Sequence, residues 1–368
     1  MPDISRRDLL SSSLFLTVGA GLCAGTFNIE ALAAAPKTQR ALADVFSMSE
    51  VDMARESVVV QAAYRIVEEA ARQIKDPGLR EKTLSVLKNP APTIARGNQA
   101  EILERLRSAG LIDPARREVF PAVRDASQSP QPFWSAPGSG YSSHHAYPGG
   151  LAAHTALNVV SAQALVKNYR SVNGLVLDYD IAVGGEILHD LHKPWVFTWS
   201  DDHSCRKEQQ LAGTGEHHVL SIAESIARGI PAEVVTAQAC AHEHPATSAG
   251  ERLVVGWLKA ASIIAGVDPI EYGLIDKGGE TLPLPRRIEG WVVHLADHDF
   301  VISTSACQWT AQALAKLARE QYGLTDPRQI QAMRNYVMAN LTAMHLYGVL
   351  SAQGPKAFAD EVARVVNA

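Results

Sequence analysis

An apolar run in the middle of the chain ends in a histidine followed by an aspartate, at Glu186-Ile187-Leu188-His189-Asp190-Leu191-His192-Lys193-Pro194. Imidazole nitrogen and carboxylate oxygen are both good ligands for divalent ions of the zinc, iron and manganese range. Consecutive helical residues point about 100° apart, so this pair reaches one ion along the helix edge, or two neighbouring ions if the carboxylate bridges. The pair therefore prompts a search for further ligands.

Most of the other histidines surround this pair in the sequence. Twelve of the thirteen lie between residues 144 and 298, which is less than half of the chain. The flanking candidates, with one further aspartate, are His144, His145, His154, His203, His217, His218, His242, His244, His294, Asp297 and His298. This clustering of ligand-type side chains indicates a metal site.

Length and composition describe a globular protein. The chain has 368 residues, long enough for one large domain or two ordinary ones, and its hydrophobic fraction of 46% supports a full core. The formal net charge is -5, and no sustained block of lysine and arginine is present. These features argue against a stable nucleic-acid or membrane partner. They leave the oligomeric state open.

The first residues resemble a twin-arginine export signal. Arg6-Arg7 precedes a mild apolar run, Leu9 to Phe27, and then the small residues Ala31 to Ala35. A membrane-spanning helix is the alternative, and it is disfavoured because serines and glycines interrupt the run. We expect residues 1–35 to be a signal read by the twin-arginine translocase, and the mature protein to be periplasmic or otherwise exported.

Helical periodicity dominates the rest of the chain, and strand signals are almost absent, so we predict an all-α fold. Residues 36–125 form an N-terminal helical region, 126–143 a loop rich in Pro, Gly and Ser, 144–305 the metal domain, and 306–368 C-terminal helices. One N-terminal helix starts near Ser49 and is ended by Pro77-Gly78. Other predicted helices are Asp178 to Leu191, Glu216 to Ala227, Pro231 to Glu243, Glu251 to Ala265 and Arg286 to Ile302.

The order of the ligand-type residues resembles the HD domain, a superfamily of metal-dependent phosphohydrolases. The resemblance covers roughly residues 140–305, and its motif order is His154, His189-Asp190, His217, His242 and Asp297. Within it, His144-His145-Ala146-Tyr147-Pro148-Gly149-Gly150-Leu151-Ala152-Ala153-His154-Thr155 is similar to the exoribonuclease-like branch. The resemblance implies an HD-type helical bundle with an N-terminal helical cap and C-terminal helices packed on it.

The resemblance also implies which residues hold metal. In the family, one ion is bound by the first histidine, the His-Asp pair and the last aspartate, which are here His154, His189, Asp190 and Asp297. In binuclear members the aspartate bridges and further histidines hold a second ion. His217 and His242 match those positions best, with His218 and His244 as alternatives. The expected cofactor is therefore one or two divalent transition-metal ions, Fe, Mn or Zn.

Three more residues near the motifs bear on the substrate. His144 and His145 are expected to line the substrate pocket, and Lys193 to add positive charge at the developing oxyanion, with a helix-end cation as the alternative reading. His192 stands where the family usually has glycine. This departure leaves the local backbone and the substrate pocket open.

The leading hypothesis is an exported metal-dependent phosphohydrolase that attacks a phosphate ester of a small substrate, possibly a nucleotide, with metal-activated hydroxide. Asp190 and Lys193 are its expected catalytic residues. Two alternatives remain. One is a diiron oxygenase of the HD type, since related helical sites host oxygen chemistry. The other is a non-catalytic metal- or ligand-binding protein, which His192 in place of glycine favours.

Overall fold

The computed structural model describes residues 39–140 and 143–368, and the predicted signal at 1–35 lies outside these ranges. The described chain is built from helices, so the all-α prediction is confirmed. Its strands, in the described ranges, are two short pairs: β1 (Arg40–Ala41) lies parallel to β4 (Val366–Asn367), and β2 (Gln210–Leu211) lies antiparallel to β3 (Thr214–Gly215).

Among the described residues, the helices of the N-terminal half are α1 (Leu42–Val45), α2 (Glu50–Glu56), α3 (Val58–Arg72), α4 (Pro77–Lys88), α5 (Gln99–Ser108), α6 (Gly150–Asn173) and α7 (Tyr179–Leu188). Those of the C-terminal half are α8 (Lys193–Val196), α9 (Glu216–Ala227), α10 (Ala232–Ala239), α11 (Ser248–Ala265), α12 (Glu289–Asp297), α13 (Phe300–Glu320), α14 (Pro327–Leu341) and α15 (Ala343–Val362). The described loops also contain 3-10 turns at Thr93–Arg96 and Phe133–Ser135.

Helix α7 lies at the centre of the packing, because every residue from Ile181 to Leu188 is buried. It packs against α6, α10 and α12. Gly185 makes this close packing possible, since a Cβ atom there would lie 3.2 Å from the backbone nitrogen of Gln238 in α10. The end of α7, which carries the His-Asp pair, is therefore held among three neighbouring helices.

Two further clusters complete the core. Helix α3 packs on α6 through apolar residues that include Val60, Val67 and Leu151. The C-terminal helices α13 to α15 enclose a separate cluster with α1 and Met53 of α2. Within the described ranges no helix is long and apolar enough to cross a membrane.

Several predicted helix boundaries are wrong. The predicted helix from Ser49 is two helices, α2 and α3, separated at Ser57, which caps both. The predicted helices Asp178 to Leu191 and Pro231 to Glu243 end earlier, at Leu188 and Ala239.

Pro77 begins α4, with Asp76 as its N-cap, instead of ending the preceding helix, which stops at Arg72. Proline fits the first turn of a helix, where its missing N–H has no partner to lose. The predicted helix Arg286 to Ile302 is two elements, since α12 ends at Asp297 and α13 begins at Phe300. The break turns both Asp297 and Asp299 towards His154.

Candidate metal centre

The His-Asp pair lies where α7 ends. His189 is the C-cap residue, and its Nδ1 lies 2.6 Å from the carbonyl oxygen of Glu186 one turn earlier. Because a carbonyl only accepts, Nδ1 carries a hydrogen, so Nε2 is the ring nitrogen that could bind a metal ion after losing its proton. That nitrogen points towards the carboxylates of Asp190 and Asp297, so the end of the helix places three potential metal ligands side by side.

A first group of donors gathers around one side of the Asp190 carboxylate. Its Oδ2 lies 3.3 Å from Nε2 of His154 in α6 and 3.0 Å from Nε2 of His189. Oδ1 of Asp297, at the end of α12, lies 3.1 Å from His154 and 3.4 Å from His189. One atom from each of His154, His189 and Asp297 falls within 4.8 Å of the others, so three helices supply a compact set of ligands.

A second group lies on the other side of Asp190. Its Oδ1 is 3.3 Å from Nε2 of His217 in α9, and Asp190, His217 and His242 again offer donors within 4.8 Å of one another. His242 follows α10, and its Nδ1 lies 3.1 Å from Oγ1 of Thr214 in β3. The carboxylate of Asp190 thus stands between the two groups, one oxygen facing each.

The structure separates the competing histidines. His218 turns away from Asp190: its Nε2 lies 3.2 Å from the carbonyl oxygen of Ala239, and its ring stacks on His242 at 4.0 Å. His244 is partly exposed and its ring neighbours His294. The geometry therefore favours His217 and His242 over His218 and His244 as ligands.

Lys193 and His192 have different surroundings. The buried Nζ of Lys193 lies 2.5 Å from Oδ2 of Asp190, so its charge is directed into the donor set. His192 has φ -102° and ψ 5°, which needs no glycine, and its Nε2 lies 3.3 Å from Oε2 of Glu224. The departure from the family pattern therefore leaves the backbone unstrained and directs the imidazole to Glu224.

His144 and His145 come from the loop before α6. Their ring centroids lie 4.8 Å and 5.3 Å from that of His154, so the loop brings both beside the first donor group. The following glycines permit this approach: Gly149 has φ 80°, and a Cβ atom on Gly150 would lie 1.9 Å from the carbonyl oxygen of His145. The Gly-Gly step therefore has a local steric reason.

Charge interactions in the centre are strong. Burial raises the pKa of Asp190 and Asp297 and lowers that of His189, but mutual attraction outweighs it. The pKa of both carboxyls is consequently held well below the usual value, and that of His189 well above. Burial likewise opposes charge on His217, yet Glu208 and Asp190 raise its pKa to about 9. Burial lowers the pKa of His218 to about 3.

Several residues that contact the potential metal ligands were not predicted from the sequence. Glu208 accepts a hydrogen bond from Nδ1 of His217, and Gly215 allows it close because a Cβ atom there would meet the Glu208 carboxylate. Nδ2 of Asn158 lies 3.1 Å from Oδ1 of Asp297, and Oδ1 of Asp299 lies 3.9 Å from Nδ1 of His154. Of these, Asn158 could have been predicted, because it lies one helical turn after His154 and therefore on the same face of the helix.

The donor set suits a divalent ion. Nε2 of His189, Nε2 of His217 and Oδ1 of Asp190 are buried without a hydrogen-bond partner, whereas Oδ2 of Asp190 is paired with Lys193. Leaving such an atom unsatisfied costs about 1–3 kcal/mol, and more when it is charged, so a bound cation would relieve a real cost. Four imidazoles and two carboxylates match the ligand preference of Zn, Fe and Mn. These buried groups are able to hold a metal ion.

Comparison with known proteins gives one distant relative. The chain is 24% identical over 269 residues, 72% of this chain and 81% of the relative, to dihydroneopterin 2′,3′-cyclic phosphate phosphodiesterase of Methanocaldococcus jannaschii. No family model and no solved structure matches the chain. The similar protein is thus one that cleaves a phosphodiester, and the matched length exceeds the predicted metal domain.

Proposed function

We propose that the chain is a metal-dependent phosphohydrolase of the HD type that cleaves a phosphate ester of a small substrate. The observation that carries this proposal is the position of Asp190, whose two oxygens face two separate groups of buried donors. The distant phosphodiesterase relative supports the same chemistry. A cyclic phosphodiester, such as a nucleoside 2′,3′-cyclic phosphate, is the substrate class that we favour.

The side chains of the centre would have different roles in the reaction. Divalent ions, when bound, lower the pKa of water and neutralise phosphate oxygens. His154, His189 and Asp297 would hold one ion, His217 and His242 a second, and Asp190 both. Lys193, 2.5 Å from Asp190, brings a fixed positive charge that stabilises negative charge developing on the phosphate oxygens. His144 and His145 border the side on which the substrate is held.

Turnover of defined substrates tests this function. The protein is loaded separately with Mn²⁺, Fe²⁺ and Zn²⁺ and assayed with phosphomonoesters, linear phosphodiesters and 2′,3′-cyclic nucleotides, and the products are quantified by chromatography. We expect cleavage of at least one ester and its loss in Asp190→Ala. Metal binding without turnover of any ester contradicts the proposal. Oxygen uptake by the iron-loaded protein would instead indicate the diiron oxygenase.

We also propose that the protein is exported through the twin-arginine translocase. The support is the Arg6-Arg7 pair followed by the apolar run and the small residues up to Ala35. Replacement of both arginines by lysine should leave precursor in the cytoplasm, and fractionation with immunoblotting measures it. An unchanged periplasmic yield would contradict export by this route.

A further inference from the structure

We propose that His144, His145 and Asp299 form an additional cation site on the outer side of His154. Ring nitrogens of His144 and His145 lie within 4.8 Å of each other and of one on His154. Nε2 of His145 lies 3.8 Å from Oδ2 of Asp299. Two imidazoles and one carboxylate are a sufficient ligand set for a divalent ion of the iron, zinc or manganese range, with solvent in the open positions.

The spacing of these donors fits a shared ion better than direct contact. The 3.8 Å separation of His145 and Asp299 exceeds the range of a hydrogen bond, which ends near 3.2 Å. Ligands bound about 2.0–2.2 Å from one ion lie roughly 3.0 Å apart at a right angle and roughly 4.2 Å apart when they are opposite each other. The two side chains are therefore separated as ligands of one ion would be.

Buried atoms of this cluster lack a hydrogen-bond partner, although the unpartnered nitrogen of His145 is Nδ1 and not the Nε2 that faces Asp299. Nδ1 of His144, Nδ1 of His145 and Oδ2 of Asp299 are buried and accept or donate no hydrogen bond, whereas Oδ1 of Asp299 is bonded by Ser303 at 3.1 Å. A bound anion would be repelled by Asp299, which faces the same space.

The site is distinct from the two donor groups at Asp190. His154 separates them: its Nε2 faces Asp190 and Asp297, and its Nδ1 faces Asp299 at 3.9 Å. A neutral imidazole that binds an inner ion through Nε2 carries its hydrogen on Nδ1, directed at the Asp299 carboxylate. The outer ion therefore takes its ligands from the loop before α6 and from the break between α12 and α13.

An outer cation would give the two loop histidines a defined part in substrate binding. An ion held by these imidazoles adds positive charge beside the first donor group, and positive charge attracts a phosphate. This step rests on the proposed function, because it concerns an anionic substrate. The metal site itself does not, since it follows from the ligands alone.

Counting bound Mn²⁺ tests the site without requiring turnover. Wild type, His144→Ala, His145→Ala and Asp299→Asn are titrated with Mn²⁺, and the bound equivalents are measured by elemental analysis and by the paramagnetic signal of free Mn²⁺. His244→Ala is the matched control, because His244 is partly exposed and lies outside every donor group. Circular dichroism confirms that each variant is folded, and Asp299→Asn keeps the shape of the side chain.

We expect wild type and His244→Ala to bind one equivalent more than each of the three variants, which keep the inner ions. Equal metal content in all five proteins overturns the site. Loss of every ion in the three variants overturns it as well, because the cluster would then only support the inner centre. If the additional equivalent is present and no phosphate ester is cleaved, the proposed function fails and the site stands.

Discussion

Oδ1 of Asp190 lies 3.3 Å from Nε2 of His217, in the donor group that also contains His242. Oδ2 faces His154 and His189 instead. A histidine that donates its Nδ1–H to another group has one lone pair to offer a metal, whereas a carboxylate offers two oxygens. Asp190 is thus the one side chain among these four positioned to serve both donor groups.

Asp190→Asn should therefore remove metal from both groups. The amide keeps the volume of the side chain but supplies a neutral and poorer ligand, so we expect metal affinity to fall on the order of 100-fold or more, with a matching loss of turnover. Elemental analysis after gel filtration measures the metal content. Asp360→Asn, at an exposed carboxylate, is the control. Wild-type metal content and activity in Asp190→Asn would reduce the His-Asp pair to a structural feature of α7.

His217→Ala and His218→Ala should have different effects, although the residues are adjacent. Loss of His217 removes a ligand-ready nitrogen facing Asp190, so the second ion should be lost and the first retained. Loss of His218 removes a buried ring stacked on His242, so the free energy of unfolding should fall by about 1–3 kcal/mol while both ions stay bound. Metal counting and urea denaturation separate the two outcomes. Loss of the second ion in His218→Ala alone would reverse the assignment.

The sequence was sufficient to predict the fold class and to propose six residues as ligands of one metal centre. The prediction succeeded for α9, whose bounds Glu216–Ala227 match, because amphipathic periodicity is a local property. It failed at Pro77 and at the break after Asp297. A proline is compatible with the end or the start of a helix, and the break depends on how α12 packs against α6 and α7.

The supporting carboxylates could not be predicted from the sequence. Glu208 lies in a segment with no motif, and Asp299 follows the motif residue Asp297 but is not part of the motif; they reach His217 and His154 through the chain before the β2–β3 hairpin and through the α12–α13 break. The sequence also could not decide whether His217 or His218 is the metal ligand. Adjacent residues on a helix point in different directions, and only the packing partner, here the carbonyl of Ala239, shows which ring faces away.

His192→Gly introduces the residue that HD domains usually have at this position, and it should be destabilising here. The His192 imidazole is fully buried against Glu224, and the backbone has no positive φ that glycine would relieve. We expect the free energy of unfolding to fall by about 2–4 kcal/mol, from the cavity and the weakened contact with Glu224. Metal content should be unchanged. Urea denaturation and elemental analysis measure both, and a loss of metal would show that His192 supports the centre directly.

Glu208 should control how metal binding at His217 depends on pH. Burial lowers the pKa of this imidazole, but Glu208 and Asp190 outweigh it and raise the value to about 9 in the metal-free protein. Metal must displace that proton, so affinity at the second group should rise with pH, about tenfold per unit for one displaced proton, and level off near pH 9. Chelator competition between pH 6 and 10 measures the profile.

Glu208→Gln removes the negative charge that favours the proton, so the pKa of His217 should fall and the profile should level off at lower pH. Above pH 9, where proton competition ends, the variant should bind metal about 10–100-fold more weakly, because the ring loses its charged acceptor.

The stability of the metal-free protein should change with pH in the direction opposite to the metal affinity. In the metal-free protein the Glu208–His217 interaction stabilises most below the unfolded pKa of His217, near 6.5, and that contribution is lost as pH rises through about 9. Glu233→Gln, at a half-exposed carboxylate, should match wild type. A Glu208→Gln profile that overlays wild type would show that Glu208 does not set the protonation of His217.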